Sequence, residues 1–340
     1  MKQVVITAYG DPRVLKTVEK DEPQPQAGEV KIRVHAAGIN FADILARQGL
    51  YPDGPKPPCV VGYEVAGVVE ALGPGGNSGL QGQRVLALTR FGGYASSVCV
   101  AAHNVFEIPP EITFNQAAGL PVNYLTAYQL LVVMGGLQKD ESVLIHNAGG
   151  GVGLAALDIA RHIGAKTFGT SSPGKHVFLK KRGLDHPINY RAHDFLKEVN
   201  RLTEGRGCEL VTDPLGGSHW KKSYKALRAT GRLGMFGVST LTQSGMSRAL
   251  RFIKLVLQMP WYNPVMLMNG NKSVFGVNLG HLWHESGKVQ KWMRHVLQGV
   301  DDGWVRPHVD KAFSFEQAGD AHAYIENRKN IGKVILVPGE

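Results

Sequence analysis

The chain has 340 residues, of which 43% are apolar and 19% charged, and its formal net charge is +10. This length exceeds what one hydrophobic core usually serves, so two domains are expected, and the composition is globular, without an apolar run able to span a bilayer. The positive charge is compatible with simple solubility or with an anionic partner, but no basic tail or RNA-binding motif predicts a nucleic-acid partner.

The first third of the chain is predicted to consist of strands and turns. In EVKIRVHAAG, residues 29–38, one face of a half-buried strand is formed by Val30, Ile32, Val34 and Ala36. Proline and glycine then punctuate residues 51–82, as in YPDGPKPP and GPGGNSG. We therefore expect a β-rich first domain.

From residue 142 the pattern changes to strands that alternate with helices. The strand-like segments are SVLIH, KTFGTS, HPINY, CELVTD and RLGMFGV. The helical segments between them are GLAALDIARHIG, GKHVFLKKRG, HDFLKEVNRLTEG and WKKSYKALRATG. Such alternation predicts βαβ units and a doubly wound parallel sheet. From about Phe275 the chain returns to strand-like segments, so we predict an α/β protein with a dinucleotide-binding domain (122–272) inserted between the two parts of a β-rich domain (1–121 and 273–340).

The cysteines and the start of the chain bear on the compartment. Cys59, Cys99 and Cys208 lie far apart in the sequence, which fits free thiols in a reducing environment. The first residues, MKQVVITAYGDPRVLK, turn polar too early for a secretory signal peptide. Together these features predict a cytoplasmic protein.

The segment LIHNAGGGVG, residues 144–153, places four glycines directly after an apolar run. Ala148, Gly150 and Gly153 form A-x-G-x-x-G, a variant of the dinucleotide fingerprint, between a predicted strand and a predicted helix. Bare backbone lets a pyrophosphate approach closely, and the amides of the helix N-terminus meet its charge. The motif predicts a dinucleotide site; the alternative is a glycine turn needed only for packing of the helix on the strand.

The end of the second strand of this domain indicates which dinucleotide is bound. An NAD site usually carries an acidic residue there, which holds the ribose 2′-hydroxyl. This chain instead has Ser171 and Ser172, followed by Lys175, and hydroxyls with an ammonium would bind the 2′-phosphate of NADPH. Tyr190, at the end of the next strand, would add a phenol donor. The alternative for Lys175 is a solvated lysine at a helix start.

Several motifs together carry a family resemblance: GINFADILARQGLYP, VGYEVAGVV, GGYASSVCV, LPVNYLTAY, VLIHNAGGGVG, GTSSPGKH and DPLGG. They resemble the medium-chain dehydrogenase/reductase superfamily and, within it, the quinone oxidoreductase (zeta-crystallin) family. NFADILARQGLY, GTSSPGKH, HPINY, DPLGGS and KNIGKVILVPG are most similar to its synaptic vesicle membrane protein (vesicle amine transport protein) homologue branch. The similarity runs almost from end to end.

The resemblance implies a GroES-like catalytic domain, a Rossmann domain and a homodimer. By the pattern of the resembled family, NADPH contacts map to Thr126, Gly150, Gly151, Val152, Gly153, Ser171, Lys175 and Tyr190. Further contacts are implied in the loops at Gly216 and Gly237 and along the backbone from Phe275 to Val277.

Two departures from the resembled pattern concern zinc. Zinc-dependent relatives carry Cys in the GIN position and His in the GYE position, where this chain has Asn40 and Tyr63. Their four-cysteine structural lobe is also absent. Because zinc held by Cys and His needs such ligands in one cluster, we predict that no metal is bound. In HLWHE, His281 and His284 could share a helix face, but a surface pair without further partners is the simpler interpretation.

Without zinc, polarising a substrate carbonyl requires hydrogen-bond donors. The candidates are the Asn40 amide, the Tyr51 phenol and the Tyr63 phenol, while NADPH supplies the hydride. The expected small-molecule substrates are quinones or α,β-unsaturated carbonyls, which accept hydride without an obligatory metal. The alternatives are a turn cap for Asn40 and loop packing for Tyr51. Asp43 is expected to fix this loop or to pair with Arg47.

A segment near residues 245–260 supports a different class of function. In SGMSRALRFIKLVLQMPWYNPVMLM, Arg248, Arg251 and Lys254 are interspersed with apolar residues, as in a basic amphipathic helix lying on an anionic membrane. The alternative function is therefore a nucleotide-regulated, membrane-associated binding protein with little reductase activity. We favour a helix that packs over the active-site cleft or a dimer interface, which makes peripheral membrane contact the secondary prediction.

Overall fold

The computed structural model describes residues 1–242 and 248–339, without the side chains of residues 242, 248, 249, 251 and 252. The chain divides into two compact units, one formed by Met1–Leu125 with Leu279–Glu340 and the other by Thr126–Asn278. These boundaries differ by a few residues from the predicted 121/122 and 272/273. The second difference has a clear cause, because Ser273–Gly276, predicted to belong to the first domain, pairs in parallel with a strand of the second unit.

The elements follow one another along the chain as strands and helices of ordinary length. The strands are β1 (Lys2–Ile6), β2 (Leu15–Glu19), β3 (Glu29–Gly38), β4 (Glu64–Leu72), β5 (Arg84–Leu88), β6 (Ser97–Ala101), β7 (Val105–Glu107), β8 (Ser142–Ile145), β9 (Lys166–Ser171), β10 (His186–Asn189), β11 (Cys208–Asp213), β12 (Leu227–Met235), β13 (Ser273–Gly276), β14 (Val309–Ser314) and β15 (Lys333–Val337). The α-helices are α1 (Phe41–Arg47), α2 (Phe114–Ala117), α3 (Pro121–Tyr128), α4 (Gly151–Ile163), α5 (His176–Arg182), α6 (Phe195–Leu202), α7 (Ser218–Lys225), α8 (Arg248–Gln258), α9 (Pro264–Gly270), α10 (Ser286–Asp301) and α11 (Ala318–Glu326).

The first unit is built on a sheet with the strand order β14-β15-β3-β4-β5-β7, in which β6 also pairs with β3. Apart from the parallel pair β14–β15, its strands run antiparallel. The alternation predicted for β3 is confirmed, since Val30, Ile32, Val34 and Ala36 are all buried. Val30, Ile32 and Val34 pack into one apolar core together with residues of β1, β4 and β15.

The second unit contains a fully parallel sheet with the order β10-β9-β8-β11-β12-β13. The strand order reverses direction between β8 and β11, and ligands of such sheets bind outside the carboxyl ends of the strands at this point. The five strands predicted between residues 142 and 238 are confirmed, although β12 begins and ends earlier than the predicted RLGMFGV, residues 232–238. The apolar core between the sheet and its helices includes Leu144, Phe168, Val199 and Leu233.

Two predicted elements differ from the structure. The helix predicted through WKKSYKALRATG ends at Lys225, because Leu227 already pairs with Cys208 as the start of β12. The segment after Phe275 was predicted to be strand-like, but it contains the long helix α10. Its buried residues Val289, Met293 and Val296 follow the three-to-four spacing of a helix that packs one face on a core.

Candidate functional site

The glycine turn lies between the carboxyl end of β8 and the start of α4. Gly150 is the N-cap residue and, having no side chain, makes no cap hydrogen bond, so the amides of the first turn are available to an anion. A Cβ atom at Gly153 would lie 2.4 Å from the Asn147 carbonyl oxygen, and one at Gly150 would lie 2.6 Å from Asn147 Nδ2. The turn therefore needs glycine for its own packing and also presents open backbone at a helix N-terminus.

The residues predicted to select NADPH lie beside this turn, because β9 is the parallel neighbour of β8. Ser171 ends β9 and is buried, and Ser172 directly precedes a 3-10 turn at Pro173–Lys175 without a side-chain cap hydrogen bond. The side chain of Lys175 reaches back across the turn: a Cβ atom at Gly149 would lie 2.7 Å from Lys175 Cδ. Two serines and a lysine thus stand at the strand end where an acidic residue would hold a ribose hydroxyl.

The other predicted cofactor residues are spread along the same edge of the parallel sheet. Tyr190 directly follows β10, Gly216 follows β11 and Gly237 follows β12, while Phe275 and Val277 lie in and just after β13. Val152 lies in the first turn of α4 with Gly151. Thr126 is different, since it is buried within α3 and belongs to no strand end.

The chemistry predicted for the first unit centres on Asn40, which precedes α1 and is 8% exposed. Its side-chain amide donates to Glu64 Oε1 at 2.9 Å, and its Oδ1 accepts from Lys333 Nζ at 2.7 Å. Lys333 also donates to Glu64, and both of these charged residues are buried. The hydrogen bonds of the Asn40 side chain are therefore directed toward a buried ion pair. This favours its structural alternative, and its catalytic role stays a prediction.

Asp43 anchors the same loop. Its carboxylate accepts hydrogen bonds from the backbone N–H of Asn40 at 2.7 Å, from that of Gly62 at 3.0 Å and from the Tyr94 hydroxyl at 3.0 Å. Complete burial raises the pKa of Asp43 to about 7, because its effect outweighs that of these hydrogen bonds, which lower the pKa. Asp43 fixes the loop, as predicted. The alternative, a pairing with Arg47, is not made, because Arg47 pairs with Glu326.

Arg47 is fully buried and pairs elsewhere. Its guanidinium lies 2.8 Å from Glu326 Oε2 and donates to the Gly10 carbonyl oxygen at 3.1 Å. The side chain leaves α1 on the side that contacts α11, one turn beyond Asp43, so a pairing four residues apart along the helix is not made.

Tyr51 and Tyr63 come together in an aromatic cluster. Their rings meet edge to face, with centroids 6.3 Å apart, and Phe91 packs on Tyr63 at 5.3 Å. The buried Tyr63 hydroxyl has no hydrogen-bond partner within 3.5 Å among the described residues, although Tyr51 is close enough to affect it. The pKa of Tyr63 is raised far above its ordinary value, mainly by burial and to a smaller extent by the nearby Tyr51 phenol. The Tyr63 phenol therefore keeps its proton at neutral pH.

One group of potential metal ligands exists in the part of the chain that the structure describes. His146, Asp213 and His219 have ligand atoms within 4.8 Å of one another, in the second unit. Ser223 Oγ stands among them, at 3.1 Å from His146 Nε2 and 2.6 Å from Asp213 Oδ2, so hydrogen bonds already use these atoms. No feature of the sequence singled out this group. The HLWHE histidines do not share a helix face, because His281 ends a 3-10 turn and bonds Asp53 at 2.6 Å.

The segment considered for membrane contact forms α8 and α9, but residues 243–247 and the side chains of Arg248 and Arg251 lie outside the described residues. Leu255 of α8 is buried, but several other large apolar side chains in and between these helices are exposed, among them Leu257 at 80%, Trp261 at 86% and Met268 at 73%. Among the described residues, no helix has the length and apolarity needed to cross a bilayer.

Comparisons with known proteins agree with this arrangement. A family model described as "Alcohol dehydrogenase GroES-like domain" matches residues 26–110, and one described as "Zinc-binding dehydrogenase" matches residues 182–336. The chain is 39% identical to the synaptic vesicle membrane protein VAT-1 homolog of Danio rerio, over 98% of this chain and 69% of that protein. It is 31% identical to the quinone oxidoreductase of Homo sapiens, over 99% of this chain and 98% of that protein.

Among solved structures, the chain is similar to Escherichia coli quinone oxidoreductase complexed with NADPH. The TM-score is 0.88 at 29% identity, and the match covers 99% of this chain and 100% of that one. The family resemblance predicted from the sequence is therefore confirmed, and with it the fold class of a GroES-like domain and a Rossmann-like parallel-sheet domain. The chain belongs to the medium-chain dehydrogenase/reductase superfamily of oxidoreductases, among the quinone oxidoreductases and VAT-1 homologs.

Proposed function

We propose that this protein is an NADPH-dependent reductase that transfers hydride to a quinone or an α,β-unsaturated carbonyl without zinc. One observation carries the proposal: the end of β9 beside the glycine turn offers Ser171, Ser172 and Lys175 in place of an acidic residue. The NADPH bound to the similar Escherichia coli quinone oxidoreductase supports the same cofactor here.

The residues present fit the cofactor. The uncapped N-terminus of α4 and the bare Gly150 and Gly151 would hold the pyrophosphate, since helix amides and the helix dipole both favour negative charge. Lys175 and the two serines would bind the 2′-phosphate, because an ammonium and hydroxyls donate to phosphate oxygens. When bound, NADPH supplies the hydride, and the chain supplies its orientation and the electrostatic environment of the acceptor.

The residues in the first unit do not fit a zinc ion. Asn40 and Tyr63 occupy the two positions where zinc-dependent relatives carry ligands. Asn40 already accepts a hydrogen bond from the Lys333 ammonium. The raised pKa of Tyr63 means that its phenol is protonated at neutral pH. Metal analysis after chelation tests this part of the proposal. Stoichiometric zinc whose removal abolishes turnover would contradict it.

The tyrosine pair is the better candidate for polarising the substrate oxygen. A neutral phenol in an aromatic cluster donates a hydrogen bond that strengthens as negative charge develops on a carbonyl oxygen. Tyr63 keeps its proton, and Tyr51 lies against it. We propose that Asn40 instead holds this loop in place through its hydrogen bonds with Glu64 and Lys333. A homodimer and a cytoplasmic location, both predicted from the sequence, remain part of the proposal.

To test the proposal, NADPH oxidation is followed by the loss of its near-ultraviolet absorbance in the presence of a panel of quinones and enones. We expect turnover with at least one of these compound classes and none with simple saturated ketones, whose reduction relies more on a Lewis acid. NADPH binding without turnover across the whole panel would contradict the reductase assignment.

A separate observation supports a second candidate function, membrane association. Leu257 of α8, Met268 of α9 and Trp261 between the two helices are exposed, and one relative is named "Synaptic vesicle membrane protein VAT-1 homolog". A nucleotide-regulated, membrane-associated binding protein would use these exposed apolar side chains. Sedimentation with anionic and neutral liposomes, with and without NADPH, distinguishes the two. Binding to liposomes together with an inactive substrate panel would favour the second function.

A further inference from the structure

A continuous line of buried polar side chains runs beneath the carboxyl ends of three neighbouring strands in the second unit. Thr170 Oγ1 lies 3.0 Å from His146 Nδ1, and His146 Nε2 lies 3.1 Å from Ser223 Oγ. Ser223 Oγ donates to Asp213 Oδ2 at 2.6 Å. All four residues are at most 4% exposed, so each link is removed from water.

Physical chemistry sets the direction of every hydrogen bond in this line. Burial alone raises the pKa of Asp213, but hydrogen bonds from His219 and Ser223 and the nearby histidines lower it below its ordinary value. The carboxylate is therefore ionised and can only accept. The one proton of Ser223 points at Asp213, so Ser223 Oγ accepts from His146 Nε2–H.

The tautomer of His146 follows from the same reasoning. Burial lowers the pKa of His146 to about 3, so the ring is neutral and carries one proton, on Nε2. Nδ1 must then accept the proton of the Thr170 hydroxyl. Thr170 Oγ1 is left as an acceptor, and the backbone N–H of Asn147 donates to it at 3.3 Å. Each hydrogen bond polarises the next, as in other buried networks.

The two ends of the line are backbone amides of the two loops that the proposed function assigns to the cofactor. Asn147 opens the glycine turn in a left-handed conformation with φ 54°, which is uncommon for a residue with a side chain. At the other end, Asp213 Oδ1 accepts from the N–H of Leu215 at 2.7 Å, in the loop that continues through Gly216. One set of side chains thus fixes the amides of both loops.

We infer that Thr170, His146 and Ser223 are positioning residues, which hold the glycine turn and the Leu215–Gly216 loop in the one relative geometry that accepts a dinucleotide. This inference rests on the proposed function, because it requires that a dinucleotide bind there. It differs from the role of Lys175, since the line fixes the two loops and not the 2′-phosphate contacts, and NADPH and NADH differ only in that phosphate. Its loss should therefore weaken both dinucleotides equally.

Three variants test the inference. Thr170→Val has nearly the same shape and removes the hydroxyl, Thr170→Ser keeps the hydroxyl, and Ser223→Ala breaks the line at its other end. We expect Thr170→Val and Ser223→Ala each to weaken NADPH and NADH binding by about three- to tenfold, the usual effect of one buried hydrogen bond. Thr170→Ser should bind like the native protein. The double variant should bind no more weakly than the worse single variant, because one break already interrupts the line.

Ser142→Ala is the matched control. It removes a half-buried serine hydrogen bond, to Glu209 at 2.5 Å, at the opposite end of strand β8 from His146. We expect its dinucleotide affinities to be unchanged. A second measurement uses the cofactor-free protein: Thr170→Val should speed hydrogen exchange at the amide of Leu215, which Thr170 does not contact, and Ser142→Ala should not.

The outcomes separate this inference from the proposed function. Native protein that binds neither dinucleotide would contradict the proposed function, and the inference with it. Native binding combined with unchanged affinities in Thr170→Val, with equal losses in Thr170→Val and Thr170→Ser, or with additive losses in the double variant would overturn the inference alone. Unchanged exchange at Leu215 in folded Thr170→Val protein would overturn it as well.

Discussion

The Lys175 side chain packs across the backbone of Gly149, so closely that a Cβ atom on Gly149 would lie 2.7 Å from Lys175 Cδ. The nearest atoms belong to a flexible side chain, which can move aside at little cost. The absence of a side chain at Gly149 thus leaves room for the Lys175 side chain to cross the turn. The identity of residue 149 should therefore influence cofactor preference more than folding.

We predict that Gly149→Ala displaces Lys175 and weakens NADPH binding by about tenfold while NADH binding changes little. Gly153→Ala is the contrasting variant, because its Cβ would meet the Asn147 carbonyl oxygen at 2.4 Å and the backbone cannot step aside as a lysine stem can. It should weaken both dinucleotides and lower the free energy of unfolding by about 1–3 kcal/mol. Equal losses of NADPH and NADH affinity in Gly149→Ala would contradict the role given to Lys175.

Removal of either tyrosine hydroxyl should slow turnover. Tyr63→Phe and Tyr51→Phe are expected to lower kcat about a hundredfold, the usual effect of one lost donor to a developing oxyanion, with NADPH affinity unchanged. Steady-state kinetics with the best substrate of the panel measure this. Losses below about threefold in both variants would show that the cluster only packs the loop.

Asn40 should behave differently from the tyrosines. Asn40→Ala leaves Glu64 and Lys333 without a shared partner in a buried site, so we expect the free energy of unfolding to fall by about 1–3 kcal/mol. The kcat of the folded fraction should change little. A hundredfold loss of kcat in fully folded Asn40→Ala protein would instead support the catalytic role predicted from the sequence.

The buried ion pair of Lys333 and Glu64 should show strong coupling. Lys333→Met leaves the Glu64 carboxylate buried and unpaired, which ordinarily costs about 3–5 kcal/mol of unfolding free energy. The double variant Lys333→Met with Glu64→Gln should recover part of that loss, because no unpaired charge remains. Urea denaturation measures all three proteins, and a double variant less stable than Lys333→Met would refute the pairing argument.

Asp43 should make stability depend on pH. Its pKa is about 7 in the folded protein and its ordinary value is 3.8, so the folded state binds the proton more tightly than the unfolded state. The stability this contributes is fully present below pH 3.8 and is lost as pH rises through 7. The groups around Asp43 are Tyr94, Lys333 and, beyond Tyr94, His322.

The measurement compares the native protein with Asp43→Asn between pH 4 and pH 8. The difference in unfolding free energy, native minus variant, should fall as pH rises, by at most about 1.4 kcal/mol per pH unit. The comparison cancels the opposite contribution of His146, which is buried in both proteins and whose pKa of about 3 stabilises the fold at higher pH. A difference that is constant or rises with pH would contradict the burial argument.

Local pattern was sufficient to predict the parallel sheet and its glycine turn. Alternating strands and helices, a glycine cluster after an apolar run, and serines with a lysine at the next strand end are all short-range signals, and the similarity to known structures confirms the fold. Helix α10 was missed because its core-facing residues are spaced along a segment with no marked boundary.

The buried polar networks could not be predicted from the sequence, and the reason is physical. Lys333 meets Glu64 across 269 positions of the chain, and Ser223 meets His146 across 77. Such pairs form because the fold buries the groups together, and burial then requires that each donor find an acceptor. Neither residue of such a pair carries a local signal.

Selection of NADPH by the end of β9 and the glycine turn can be measured by nicotinamide fluorescence titration. Both NADPH and NADH are titrated into the native protein and into Lys175→Ala. We predict that the native protein binds NADPH at least about tenfold more tightly than NADH, and that Lys175→Ala removes most of this preference by weakening NADPH alone. Equal affinities in the native protein, or an unchanged preference in Lys175→Ala, would contradict the account.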